Sequence, residues 1–170
     1  MTIRAVAGHT PRVHPGAWVD PAALVIGNVE LAEGVSIWPF TVVRGDEGQY
    51  IRIGRNTNVQ DNSVVHVEPN VPCLIGEGVT VGHRAVVHAC TIGNNVRIGI
   101  GAIVLTGAVI EDNAQVGAGA VVAPGKVVAA GTLVMGVPAR PVRQMNEAEL
   151  DDIRRNAREY LELWQTDYRA

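Results

Sequence analysis

Aliphatic residues return at every sixth position over most of this chain. From Ile92 the column runs through Ile98, Val104, Ile110, Val116, Val122, Val128 and Val134 without a miss. Four residues after each stands a second, mostly small side chain: Val96, Ala102, Ala108, Ala114, Ala120, then Lys126 as the exception, Thr132 and Pro138. Upstream the first column continues as Ile75, Val81 and Val87, as Ile53, Val59 and Val65, and as Val25, Leu31, Ile37 and Val43. A helix repeats at about 3.6 residues and a half-buried strand at 2, whereas a short strand plus a turn repeats at six, and three such units close a triangular coil of about 18 residues. The pattern predicts a parallel β-helix of about seven coils over residues 13–139, with both columns pointing inward. Beyond Pro138 and Pro141 the pattern ends, and Asn146 followed by Glu149 reads as an N-cap with its capping box. A C-terminal α-helix is predicted over about 146–169, its stripe of Leu150, Ile153, Ala157, Tyr160, Leu161, Trp164 and Tyr168 laid along one prism face.

Composition narrows the setting. The 170 residues are 47% hydrophobic and 18% charged, which suits a single domain over 1–170. Aromatics are only 4% of residues, so the core consists of thin Val, Ile and Ala layers. A formal charge of -3 offers no basic field for nucleic acid or an anionic membrane, and neither partner is expected. Cys73 and Cys90 are too few for a disulfide framework and lack metal-binding spacing. With no secretory leader at the start and no run of membrane-spanning length, a cytoplasmic location is expected.

The period slips at three points, and the slips locate the chemistry. Ten residues separate Val43 from Ile53, ten separate Val65 from Ile75, and five separate Val87 from Ile92. If each long step loops out four residues, Val43, Val65 and Val87 begin the same face on successive coils, and the residues after them are Arg44, His66 and His88. Coils lie about 4.8 Å apart, so His66 and His88 form an outward column within reach of one metal ion, whose Zn–N bonds are about 2.0 to 2.1 Å. His83 lies around a corner of the same coil. It is poorly placed to join the pair in its own chain, but a neighbour in a cyclic trimer would bring its His83 to meet them. Three histidines leave one position for water, whose pKa bound zinc lowers to about 7. Isolated surface histidines are common, yet three of this chain's five fall within 23 residues at such positions. Asp61, with Gln60 before it, shares the column of His83; its carboxylate either orients a ligand or sits on a solvated turn. Arg44 and Asp46 flank Gly45, either as a directional pair on an interface edge or as a local ion pair.

The segments Arg44-Gly45-Asp46-Glu47, Gln60 to His66, and Gly82-His83 followed by His88 resemble the γ-class carbonic anhydrases and their bacterial relatives in the hexapeptide-repeat superfamily, over nearly the whole chain. The resemblance implies an all-β fold: a single-stranded left-handed parallel β-helix with a C-terminal α-helix, although parallel crossovers are in general right-handed. It also implies a homotrimer with His66, His83 and His88 as metal ligands, His83 from the adjacent subunit. Arg44 and Asp46 match an intersubunit pair, Asp61 a residue that orders the interface, and Gln60 a residue near bound water or bicarbonate. Glu47 matches a proton-transfer acid and Tyr160 an active-site tyrosine. The loop after His66 carries one carboxylate, Glu68, in place of a longer acidic loop, and Glu162 stands where the family's helix has Asn.

The function so implied is zinc-dependent hydration of CO2 to bicarbonate by metal-bound hydroxide, with Glu47 or Glu68 passing the proton on; Fe2+ or Co2+ also suits such ligands. Two other readings stand beside it. Gly136 to Arg140 resembles a segment common in acyltransferases, which fits an acyl-CoA transferase or thioesterase. The single carboxylate after His66 fits a non-catalytic metal-binding trimer.

Overall fold

The computed structural model describes residues 2–168 and is a parallel β-helix of about seven coils closed by one C-terminal helix. Three sheets form the prism. The first runs from Ile3–Arg4 through Leu24–Gly27, Val42–Gly45, Val64–His66, Val86–His88 and Ile103–Val104 to Val121–Val122. The second climbs from Arg12–Val13 to Val127–Val128, and the third from Trp18–Val19 to Thr132–Met135. Pairing is parallel and in register between successive coils; Val43, Val65, Val87 and Val104 stack on one another.

The inward columns are those read from the period. Ile92, Ile98, Val104, Ile110 and Val116 are buried, as are Val96, Ala102, Ala108, Ala114 and Ala120. Small residues in the second column let three sheets close around a narrow interior, and each buried Val or Ile contributes about 1.5 to 3 kcal/mol. Lys126 and Pro138, in the last coil at the C-terminal end of the prism, are exposed.

Both ends of the solenoid differ from the expected 13–139. It begins at Ile3, where a strand pairs with Val25 and Ile26; the following turn, closed by Val6 and His9, interrupts the six-residue spacing and hides that coil in the sequence. At the other end Arg140–Gln144 returns antiparallel along Thr132–Met135. This strand contains Pro141 and every residue of it is exposed, so no alternation announces it.

The helix spans Glu147–Leu163 and widens into a π turn over Trp164–Tyr168; the expected end at 169 lies outside the described residues. Asn146 caps it as predicted: its Oδ1 accepts from the Glu149 amide at 3.0 Å, and the Glu149 carboxylate accepts from the Asn146 amide at 2.9 Å. Ile153, Ala157 and Trp164 are buried against the third sheet. Trp18 stacks on Trp164 at 6.4 Å, and Trp38 meets Tyr160 edge-on at 5.3 Å. No helix among the described residues is long and apolar enough to cross a membrane.

Many corners of the prism use a left-handed backbone residue, glycine at Gly101 and Gly119 and asparagine at Asn95 and Asn113. Around the candidate site several such positions hold residues other than glycine. Glu47, Asn62, Arg84 and Ala89 all have positive φ and directly follow Asp46, Asp61, His83 and His88. Such conformations cost non-glycine residues about 1 to 3 kcal/mol and collect at functional positions.

Candidate metal centre

His66 and His88 each follow a buried valine at the end of a strand in the first sheet, so strand alternation turns both rings outward. They are in-register partners, and Arg44 is the partner of His66 one coil earlier. His66 Nδ1 and His88 Nε2 lie 3.3 Å apart. A tetrahedral zinc ion with bonds of about 2.0 to 2.1 Å sets its ligand nitrogens about 3.3 Å from one another, so the pair fits two adjacent coordination positions.

The turn after Arg44 folds Asp46 back over this column. Gly27 and Gly45 make the close approach possible, since a Cβ on Gly27 would fall 2.1 Å from the Gly45 carbonyl oxygen. Positive φ at Glu47 and Gly48 and a bond from the Gln49 amide to the Asp46 carbonyl, 2.9 Å, complete the turn. Asp46 Oδ1 accepts from His66 Nε2 at 3.0 Å, and its Oδ2 accepts from the Arg44 guanidinium. Partial burial pushes the Asp46 carboxyl up, but hydrogen bonds from His66 and Arg44 outweigh it and hold it below the ordinary carboxylate value. The His66 side chain is only 12% exposed. Asp46 and Glu47 thus sit beside His66, and the three form a cluster whose donor atoms lie within 4.8 Å of one another. Beside the interface pair or local ion pair expected of Asp46, its bond to His66 orients the ring.

His83 occupies a different corner, in the turn between Thr80–Val81 and Val86–His88. Its Nδ1 bonds to Asp61 Oδ2, one coil earlier, at 2.8 Å, and its side chain is 40% exposed. Gln60 is almost fully buried. Its amide donates to Asn58 Oδ1 at 3.0 Å, and the Asn58 amide donates to Thr80 Oγ1 at 3.0 Å. This ladder fixes the Gln60 amide with Nε2 turned to Asn58. Tyr160 and Asn156, one helical turn apart, join Gln60, His83, Arg97 and Ile100 around a pocket of about 240 Å³. Burial, aided by the negative charge of Asp61, pushes the Tyr160 hydroxyl above its ordinary pKa.

The residues singled out in the sequence therefore form two groups. Arg44, Asp46, Glu47, His66, Glu68 and His88 belong to the first corner; Gln60, Asp61, His83 and Tyr160 belong to the second. Four participants carried no signal in the sequence: Thr106, which touches both His88 and Glu68, and Asn58, Thr80 and Asn156. Thr106 reads as an ordinary turn residue until the coils are aligned: the one-residue deletion after Val87 pairs Val87 with Val104, 17 residues on, and so leaves Thr106 one position past the residue in register with His88.

Residues 89–129 match the bacterial transferase hexapeptide model (six repeats). A carbonic anhydrase of Geobacillus kaustophilus is 44% identical over 158 residues, covering 93% of this chain and 86% of that protein. Gamma carbonic anhydrase 2, mitochondrial, of Arabidopsis thaliana is 39% identical over 170 residues, covering 96% of this chain and 61% of that protein. The crystal structure of a hexapeptide transferase family protein from Anaplasma phagocytophilum superposes with a TM-score of 0.93 at 38% identity, covering 98% of both chains.

Proposed function

Since this chain belongs to the γ-class carbonic anhydrase-like family of hexapeptide-repeat proteins, we propose that it hydrates carbon dioxide as a metal-dependent homotrimer. The observation that carries this reading is the pair of ring nitrogens, His66 Nδ1 and His88 Nε2, held 3.3 Å apart by strand register. His66 and His88 of one subunit and His83 of the next would hold the ion. A bound divalent cation such as zinc lowers the pKa of a coordinated water to about 7 and so supplies a nucleophile at neutral pH.

The remaining tasks fall to the chain's own residues. Asp46 and Asp61 orient the His66 and His83 rings through single hydrogen bonds. Gln60, its Nε2 already donated, offers Oε1 as an acceptor to a hydroxyl proton, and Tyr160 offers a protonated hydroxyl at the same pocket. Exposed Glu47 stands next to Asp46 at the solvent side and takes the proton out. Glu68 is engaged by Thr106, so Glu47 is the better carrier.

Metal analysis and a stopped-flow CO2-hydration assay test the reading. The purified protein should carry one metal ion per subunit and hydrate CO2, and His88→Ala should lose both. A metal-loaded trimer without hydratase activity would remove the enzymatic reading and leave a metal-binding protein. The hexapeptide-transferase relationship favours acyl-CoA chemistry as the second reading; acyl transfer or thioester hydrolysis by protein that carries no metal would select it.

A further inference from the structure

We propose that Thr106 is a positioning residue that fixes the tautomer of His88. The inference rests, for its purpose, on the metal-site reading of the His66 and His88 pair. Thr106 lies one coil beyond His88, and its hydroxyl donates to the Glu68 carboxylate in a short hydrogen bond while standing 3.2 Å from His88 Nδ1. A threonine hydroxyl has one proton, and an ionised carboxylate has none to return. With that proton committed to Glu68, the oxygen can only accept from His88. Nδ1 of His88 therefore carries the N–H, and Nε2 is left with a bare lone pair.

That lone pair faces another. His66 Nε2 donates to Asp46, which can only accept, so His66 Nδ1 is also unprotonated, and it is this nitrogen that stands 3.3 Å from His88 Nε2. Two lone pairs at that distance repel unless a cation lies between them. Two separate devices prepare this: a carboxylate acting directly on His66, and a carboxylate acting through a hydroxyl on His88. Glu68 reaches its place because the excursion after His66 is closed on itself by paired amides and carbonyls of Glu68 and Val71, 3.2 and 2.9 Å. Its carboxylate thus acts through Thr106 as an orienting group.

Thr106→Val keeps the branched shape and removes the hydroxyl, and Thr106→Ser restores the hydroxyl. Long-range 1H–15N spectra of the metal-free, full-length protein, recorded above the imidazole titration range, report the tautomer of His88 directly. Wild type and Thr106→Ser should have His88 protonated at Nδ1, and Thr106→Val should shift it toward Nε2. Zinc affinity, measured by competition with a chelating dye, should fall about 10- to 100-fold in Thr106→Val and recover in Thr106→Ser. Wild-type His88 protonated at Nε2 would overturn the proposal without reference to any variant. A Thr106→Val protein with the wild-type tautomer would overturn it as well, whatever happens to its affinity. Failure of the wild type to take up zinc would sink the metal-site reading, while the tautomer measurement would still decide the role of Thr106.

Discussion

The two corners that carry histidines are built to different degrees of completion. At the corner of His66 and His88, strand register sets the ring spacing, Asp46 and Thr106 occupy the outer nitrogens, and His66 is nearly buried. The corner of His83 has its orienting carboxylate, Asp61, and a pocket under the helix, yet the imidazole is 40% exposed and contributes a single histidine. Phe40 and Ile100, 67% and 57% exposed, stand on the same corner, two coils and one coil away respectively. One corner is thus a closed pair of donors and the other a single donor framed by uncovered apolar side chains. The difference fits a site divided between subunits: the pair is fixed within the chain by stacking, and the third donor is left for a neighbour to receive.

The hardest test of that division is complementation. His66→Ala and His83→Ala should each be nearly free of metal as pure proteins. Unfolded, mixed and refolded together, they should recover one complete site per mixed trimer, because one mutant chain still offers His66 and His88 while the other still offers His83. Ligation within one chain can restore none, so verified mixed trimers without metal would refute the division. Next in size are the two orienting carboxylates. Asp46→Ala and Asp61→Ala should each weaken metal binding about 10- to 100-fold, in chelator competition, as removal of such partners typically does; a loss confined to one variant would restrict the orienting role to that corner.

Arg44→Ala should act more mildly, shifting the sizing profile from trimer toward smaller species, since the family resemblance implies that Arg44 and its partner Asp46 lie between subunits. A fully trimeric Arg44→Ala protein with its metal lost would assign Arg44 to the metal corner alone. The smallest effect expected is that of acid on the helix over the second corner. Arg143 holds the Glu149 carboxyl down at about 2, and Arg97 holds Asp152 below its ordinary value. Both pKa values are depressed in the folded state, so the stability they add is present above the ordinary carboxylate range near 4.5 and is lost as pH falls toward 2. Fluorescence of Trp18, Trp38 and Trp164 should report the helix loosening in that window, less steeply in Glu149→Gln; an identical profile in that variant would dismiss the clamp.

What the sequence reveals here follows the strictness of the repeat. From Ile92 to Val134 the side chains that fill the prism are spaced without error, and the slips around Val43, Val65 and Val87 identify Arg44, His66 and His88 as stacked neighbours by counting alone. The pairing of Asp61 with His83 is legible in the same way, 22 residues apart. Thr106 is not, because its significance depends on a hydroxyl meeting a carboxylate 38 residues away on an excursion outside the repeat. Nor is the bond from His66 to Asp46, which depends on how one glycine turn folds back over the column. The strand Arg140–Gln144 lacks both periodicity and burial, so hydrophobic pattern has no purchase on it.

The two excursions, between Gly45 and Ile51 and between His66 and Cys73, leave the ladder and return to it in register. Doubling the length of a flexible loop costs only about 0.6 kcal/mol, and Val67 apart neither excursion supplies side chains to the buried core that holds the coils together. A lineage of such proteins can therefore lengthen, shorten or recharge these two segments while inheriting the prism unchanged. Changes beside His66 can then accumulate one insertion at a time without touching the columns on which the fold depends.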